Sequence, residues 1–276
     1  MRRSSQPKQA RVISWGAEPA PGRNETASML AEEEPLEIRI RGKTLTVLMR
    51  TPGADEELAA GLLWSEGIIR NTSELVEIAP CKAVGSAGQG RILNVFLAPG
   101  VVVDWERIGR HLLTGSSCGL CGATAIESVC REFSPVQAGG SIQADTLARL
   151  PDLMRGKQAL FHLTGGVHAA ALFTERGRLL VLREDVGRHN ALDKVVGFAL
   201  RRGLLPLSRA VLIVSGRVSF EIMQKALAAG IPIIGAVSAP TDLAVSFSQQ
   251  SGQTLAGFIR RGRLTLFSHP SRIRKH

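Results

Sequence analysis

The chain has no tyrosine, and its aromatic content is limited to nine phenylalanines and three tryptophans in 276 residues. So thin a supply argues against a stacking platform for single-stranded nucleic acid. No stretch reaches the roughly 18 consecutive apolar residues that a membrane-spanning helix requires. The basic start, MRRSSQPKQARVISWG, lacks the apolar segment of a secretory signal, so a cytoplasmic protein with no membrane partner is expected. Cysteine is scarce too: four residues, at 81, 118, 121 and 130, are too few for a disulfide scaffold in a chain of this length.

What is present fits a globular protein: 44% hydrophobic and 21% charged residues, enough for one large core or two modest ones. Lys and Arg exceed Asp and Glu by 34 to 24, a net charge of +10. That excess suits an anionic partner, or simply a solvated basic surface. Part of it sits at the ends, in Arg2, Arg3, Lys8 and Arg11 and in Arg272, Arg274 and Lys275.

Residues 1–30 mix Arg, Ser, Pro and Glu without periodicity and read as a flexible basic tail. From Pro35, Leu36 to Ile40 alternates apolar and charged residues, and Thr44 to Met49 returns after an Arg41-Gly42-Lys43 turn as a hairpin. A helix capped by Asp55 or Thr51 then runs to about Gly67, and Arg91 to Leu97 is a strand. Residues 31–114 are therefore a small α+β domain. Beyond it, helices are predicted over Ala123–Phe133 and Asp145–Met154, the latter capped by Asp145. Strands are predicted at Leu160–Thr164, Ala169–Phe173 and Arg178–Arg183, followed by a helix over Gly187–Arg202. The apolar runs Ala210–Val214 and Ile231–Val237 flank a helix over Ser219–Ala229 that stops at Gly230. That is a βαβ unit with parallel strands. Thr241 or Asp242 caps one more helix, and Thr254–Ile259 with Arg263–Ser268 forms a last hairpin around Arg261-Gly262.

Chemistry concentrates in Thr114-Gly115-Ser116-Ser117-Cys118-Gly119-Leu120-Cys121-Gly122, which precedes a predicted helix. Glycines permit a tightly turned, exposed backbone. A cysteine near a helix N-terminus meets unpaired N–H groups and the positive dipole end, both of which favour thiolate. A second cysteine three residues on can attack a bond made by the first. This pattern suits a sulfur carrier in which Cys118 holds a persulfide and Cys121 assists release. One Cys-x-x-Cys is only half a zinc site, and neither Cys81, Cys130 nor a nearby His completes it, so no metal is predicted. A thioredoxin-like exchanger would place the pair after a first strand with an aromatic before it. A buried apolar role suits Cys81 and Cys130, the latter on an amphipathic helix, better than it suits a Ser- and Gly-rich loop.

The segment Ser117-Cys118-Gly119-Leu120-Cys121-Gly122 resembles the signature of the FdhD family, the formate dehydrogenase accessory sulfurtransferases. Further segments resemble it in order: Arg50-Thr51-Pro52-Gly53 with Glu57 to Gly67, Thr164 to Ala170, Arg183 to Lys194, Val214 to Arg217, and Ser238 to Thr241. They cover the chain from about residue 35 onward. The resemblance implies a sulfur donor, a cysteine desulfurase, and an acceptor, the molybdenum bis(molybdopterin guanine dinucleotide) cofactor, sulfurated before its insertion into formate dehydrogenase. It implies Cys118 as the persulfide cysteine with Cys121 as its partner, and a homodimer. The implied fold is α/β, with a cytidine deaminase-like domain over 115–276 beside the smaller α+β domain. The deaminases' His-x-Glu and Pro-Cys-x-x-Cys zinc pattern is missing, because Ser117 stands where proline would, so deamination is not expected.

Several segments are candidates for holding a guanine dinucleotide. Ser215-Gly216-Arg217 follows a buried strand and opens a helix, which suits phosphate but also describes an ordinary turn. Asp185, His189 and Asn190 could read a base or orient a pterin, or could merely cap a helix. His168 could move a proton or be a structural histidine. Phe267-Ser268-His269-Pro270-Ser271-Arg272 resembles the family's C-terminal cofactor-contact segment, with Phe267 to stack and Arg272 to pair with phosphate. Two functions from different classes follow: a sulfurtransferase working through Cys118, or a non-catalytic cofactor-binding chaperone that needs neither cysteine.

Overall fold

The structure, a computed structural model, describes residues 6–16, 22–81, 91–106, 127, 129–130, 132–137 and 139–275. It opens with an antiparallel pair, β1 (Lys8–Gly16) and β2 (Gly22–Leu30). A tail without regular structure was expected here. The local pattern carries no alternation; the two segments instead satisfy their backbone groups by pairing with each other, from Lys8↔Leu30 to Gly16↔Gly22.

A four-stranded sheet follows, built from β3 (Glu34–Ile40), β4 (Lys43–Arg50), β5 (Leu75–Pro80) and β6 (Ile92–Leu97) in the order β4-β3-β6-β5. Leu36, Ile38 and Ile40 alternate inward and pack with Leu58, Leu62 and Leu63 of helix α1 (Asp55–Ser65). The expected side-chain cap of α1 is absent. Ala54 stands at the N-cap with φ 55, while Asp55 takes the guanidinium of buried Arg50 at 2.9 and 3.1 Å. The Thr51 hydroxyl is engaged elsewhere, accepting the Val186 N–H at 3.1 Å. β5 has no expectation behind it: Val76 and Glu77 are both exposed, so it lacks the alternation that marks a strand in sequence.

The larger part contains β7 (Ile142–Gln143), α2 (Ala144–Arg155), α3 (Ala159–Thr164), β8 (His168–Thr174), β9 (Leu179–Asp185) and α4 (Arg188–Arg201). It continues with β10 (Ala210–Val214), α5 (Phe220–Ala228), β11 (Ile233–Ala236), α6 (Asp242–Gln250), β12 (Thr254–Arg260), β13 (Arg263–Ser268) and β14 (Ile273–Arg274). Six strands form one mixed sheet in the order β13-β12-β11-β10-β8-β9. β10, β11 and β12 are parallel, as the βαβ reading requires, and the other pairs are antiparallel. The run Ala210–Val214 is apolar throughout because both faces are covered. Val211 and Ile213 pack with Leu147, Leu150 and Met154 of α2; Leu212 and Val214 pack on the side of α4, α5 and α6.

The expected strand at Leu160–Thr164 is instead α3. The Glu184 carboxylate accepts the N–H groups of Leu160 and Phe161 at 3.0 and 2.8 Å, a tertiary cap that local sequence does not announce. α2 has Gln143 at its N-cap, with Asp145 in its first turn and not at its cap. Thr241 does cap α6, accepting the Ala244 N–H at 3.3 Å.

The two sheets are joined by α1 and α4, which touch at paired glycines. A Cβ on Gly61 would lie 1.8 Å from the Asp193 carbonyl oxygen, and one on Gly197 would lie 1.8 Å from that of Glu57. Beside this crossing, buried Lys225 donates to Glu66 and Asp193 at 3.0 Å each, and Ser65 donates to Asp193 at 2.9 Å. Burial disfavours the Lys225 ammonium, but the two carboxylates outweigh that cost and hold its pKa above the ordinary range.

Candidate functional site at the carboxyl ends of the parallel strands

Cys118 and Cys121 lie outside the described residues. Cys130 packs partly buried against the larger core, where burial pushes its thiol pKa up, as suits an unreactive cysteine.

Ser215, Gly216 and Arg217 lie where β10 ends, beside the ends of β11 and β12, whereas Ser268 to Arg272 lie at the opposite edge, by the start of β12. The loop after β10 lies against the loop after β11: Val218 N–H donates to the Ala239 carbonyl and Thr241 N–H to that of Val218. The Phe258 N–H, in turn, donates to the Ser238 carbonyl. In open α/β sheets, ligands commonly bind beyond this end of the parallel strands.

Ser215 is pinned, its hydroxyl accepting the Ala169 N–H at 2.9 Å, while Arg217 is exposed. Gly216 lies against His168, the first residue of β8. A Cβ there would be 3.2 Å from the imidazole Nδ1 and 3.9 Å from Arg188 Cδ. Burial, helped by the positive charges of Arg188 and His189, pushes the His168 pKa below its ordinary 6.5. The imidazole is therefore neutral near pH 7.

Asp185 and Asn190 are placed differently from a ligand-reading role. Asp185 is fully buried and takes Lys194 at 2.6 Å, the Thr51 N–H at 3.2 Å, the Gly187 N–H at 2.8 Å and the Asn190 amide at 3.0 Å. The Asn190 amide also donates to the Met49 carbonyl at 2.8 Å. Both residues tie the four-stranded sheet to the start of α4. His189 is partly exposed and sits 2.8 Å from the Glu221 carboxylate and 3.4 Å from the Ser219 hydroxyl. The hydrogen bond from His189 holds Glu221 below the usual carboxylate range.

The C-terminal segment divides in the same way. Ser268 is internal, accepting the Leu255 N–H and donating to the Gln253 carbonyl. Arg272 turns inward and donates to the Gly252 carbonyl at 2.8 Å and the Thr254 hydroxyl at 3.2 Å, so its guanidinium braces the end of the chain. His269 lies in the left-handed region at φ 41 and contacts the Gln249 carbonyl at 3.0 Å. Pro270 and Ser271 are exposed on a short turn. Phe267 packs near Gly257, with its ring centroid 6.3 Å from that of exposed Phe258, whose φ of 52 marks an irregularity in β12.

The structure thus brings Ser215, Gly216, Arg217, His189 and His168 together. It adds two residues that no sequence signal singled out, Arg188 and Glu221. Arg188 stood inside the Arg183–Lys194 segment, but nothing in its spacing separates it from a solvated helix-start arginine.

A model of the FdhD/NarQ family matches residues 31–274. The protein named sulfur carrier protein FdhD from Streptomyces avermitilis is 49% identical over 253 residues, 88% of each chain. Its namesake from Mycobacterium tuberculosis is 46% identical over 252 residues, 88% of this chain and 91% of its own. A crystal structure described as a formate dehydrogenase accessory protein from Desulfotalea psychrophila is 27% identical, with a TM-score of 0.75 over 99% of this chain and 100% of that one.

Proposed function

Because the chain belongs to the FdhD/NarQ family, we propose that it is a cytoplasmic sulfurtransferase that accepts sulfur as a persulfide on Cys118 and delivers it to a molybdenum cofactor destined for formate dehydrogenase. The observation that carries this reading is the cysteine pair in Ser117-Cys118-Gly119-Leu120-Cys121-Gly122, set in a chain nearly half identical to named sulfur carriers.

The donor is a cysteine desulfurase bearing a persulfide. The Cys118 thiolate attacks the donor's outer sulfur, and the donor cysteine leaves as thiolate, so the sulfur moves without net oxidation. For delivery, the Cys121 thiolate attacks the inner sulfur of the Cys118 persulfide. A Cys118–Cys121 disulfide forms and the outer sulfur leaves as hydrosulfide, the form a metal accepts. The cysteine pair supplies the two electrons, and a dithiol reductant resets it. The acceptor is the bis(molybdopterin guanine dinucleotide) cofactor as substrate, and the protein acts as a homodimer. The six-stranded sheet covered by helices on both faces suits a cytidine deaminase-like domain over 115–276, with 31–114 as the smaller domain.

The test is to incubate the purified chain with a cysteine desulfurase and cysteine and to map added mass by peptide. A gain of about 32 Da on the Cys118 peptide, removed by reduction, is expected, because a persulfide is a reversible cap. Absence both of that mass and of a Cys118–Cys121 disulfide with released sulfide, with an active desulfurase, sinks the reading. Cys118→Ala should also abolish maturation of formate dehydrogenase. The second reading, a cofactor-binding chaperone, draws on the uncommitted basic side chains at the strand ends. It predicts maturation that survives replacement of both cysteines.

A further inference from the structure

We propose that the tip of the last hairpin, Arg260-Arg261-Gly262-Arg263, docks on an acidic surface of the sulfur donor. The tip joins β12 to β13, the edge strand of the six-stranded sheet, so no further strand of that sheet lies beyond it. All three arginines are exposed, and among the described residues none makes a hydrogen bond or ion pair. Their placement works against the hairpin. Arg260 and Arg263 are partners across the two strands, and like charges directly opposite destabilise such a pair. Arg261 holds φ 51 and Gly262 φ 73, a turn with positive φ at both central residues, where asparagine, aspartate or glycine is the favoured first residue. The first hairpin uses the same turn differently. Arg41 has the same φ of 51 before Gly42, but its guanidinium donates to the Val101 carbonyl at 2.9 Å and ties the turn to a distant part of the chain. Arg261 has no such contact among the described residues, so its charge faces outward.

The partner's chemistry follows from charge and number. Four consecutive residues carry three positive charges and no negative one, which calls for carboxylates on the other side. Nucleic acid held by charge engages about six to ten phosphates. Membrane-surface segments carry clusters of about four to eight basic residues. Three arginines fall short of both. A protein contact needs fewer charges, because apolar area supplies the remainder, and Phe258, 42% exposed, stands two residues before Arg260. Arginine and aromatic residues are types enriched where proteins meet. A sulfur donor must arrive and leave at every loading cycle. Such a contact gains from charges at its rim, which speed association more than they prolong the complex. That the acidic surface belongs to the sulfur donor rests on the function proposed above; the charged tip as a protein contact does not.

The experiment measures desulfurase-driven persulfide gain on the Cys118 peptide over a series of concentrations of the full chain, alongside isothermal titration of the chain with the desulfurase. Arg261→Asn is the decisive variant, because asparagine suits the positive φ and should leave the melting temperature at or above that of wild type. It should nevertheless raise the KM of the chain as sulfur acceptor by about threefold, and Arg260→Thr/Arg261→Asn by about tenfold, with kcat unchanged and Kd rising in parallel. Added salt should raise the wild-type KM and barely move that of the double variant. Arg176→Glu, at an exposed residue in the turn between β8 and β9, changes the net charge by the same amount as the double variant and should behave as wild type. Persulfide gain from a small donor, glutathione persulfide, should be unchanged in every variant. A wild-type KM in the double variant, an equal loss in Arg176→Glu, or a loss with glutathione persulfide each overturns the docking tip. Normal loading with impaired delivery to formate dehydrogenase would put the acidic surface on the recipient and overturn the assignment to the donor. A chain that binds the desulfurase through the tip yet gains no persulfide refutes the sulfur-carrier reading alone.

Discussion

Lys194 and Asp185 form an ion pair 2.6 Å long in which neither side chain is more than 2% exposed. The pair spans two parts of the molecule. Lys194 also donates to the Thr51 carbonyl at 2.8 Å, and Asp185 accepts the Thr51 N–H at 3.2 Å. Thr51 follows β4 and precedes α1, so one buried pair fixes the corner of the smaller sheet against the helix that carries Arg188 and His189.

Removing either partner leaves the other unequal company. Asp185→Asn strands a buried ammonium, and a cost of about 3–5 kcal/mol is expected. Lys194→Met should cost less, because three N–H donors still stabilise the Asp185 carboxylate. Urea unfolding of both variants checks the order. A larger loss in Lys194→Met would mean that the ammonium, not the carboxylate, organises this corner.

The glycine crossing makes a second demand. Gly61→Ala or Gly197→Ala would press a methyl into a backbone carbonyl that no rotamer change can move aside. Separating α1 from α4 is the remaining relief, and an overpacking cost of about 1–3 kcal/mol or more is expected for each. Thermal melts should show both variants well below wild type. Wild-type stability in either would mean that the two helices can slide apart freely.

The His168 pKa sets a direction for stability with pH. Its folded value lies below the unfolded 6.5, so the unfolded chain takes up the proton first on acidification. Stability therefore falls as pH drops below about 6.5 and continues to fall until the folded value is reached. The lowered carboxylates Glu37, Glu74, Glu175 and Glu221 act later. Their contribution is lost only as pH falls below 4.5 and through their folded values. His168→Gln should flatten the decline that begins below pH 6.5, measured as denaturation midpoints. An unchanged slope would place the effect on another group.

How far the sequence reaches can be judged from particular elements. The βαβ unit was legible because an apolar run, a helix ending at Gly230 and a second run leave little choice of topology. The hairpin at Arg261-Gly262 and the Thr241 cap were legible for the same local reason. α3 was not, because its first N–H groups are satisfied by Glu184, more than twenty residues on. The pairing of β1 with β2 also escapes, since it rests on backbone partners and not on a side-chain pattern. At the candidate site, local pattern could not tell polar residues committed inside the fold from those left at its surface. Asp185, Asn190, Ser268 and Arg272 are polar in a motif yet spend their hydrogen bonds inside the fold, whereas the Arg188 Nε is buried with no hydrogen-bond partner.

Cys121 separates loading from delivery. If Cys118 alone takes sulfur from the donor, Cys121→Ser should still gain a persulfide on the Cys118 peptide, at a level near wild type. Delivery is different, because hydrosulfide release needs a second thiolate to accept the bond to Cys118, and a serine hydroxyl stays protonated and cannot form the disulfide. The variant should therefore accumulate persulfide and release little sulfide, whereas wild type releases sulfide and ends as the Cys118–Cys121 disulfide. Adding a small dithiol supplies the missing thiolate from solution and should restore sulfide release from Cys121→Ser. Time-resolved mass spectrometry of the Cys118 peptide, paired with sulfide detection, reads both steps. Wild-type release from Cys121→Ser without added dithiol would remove Cys121 from the mechanism and assign the two electrons to another thiol in the mixture, such as free cysteine.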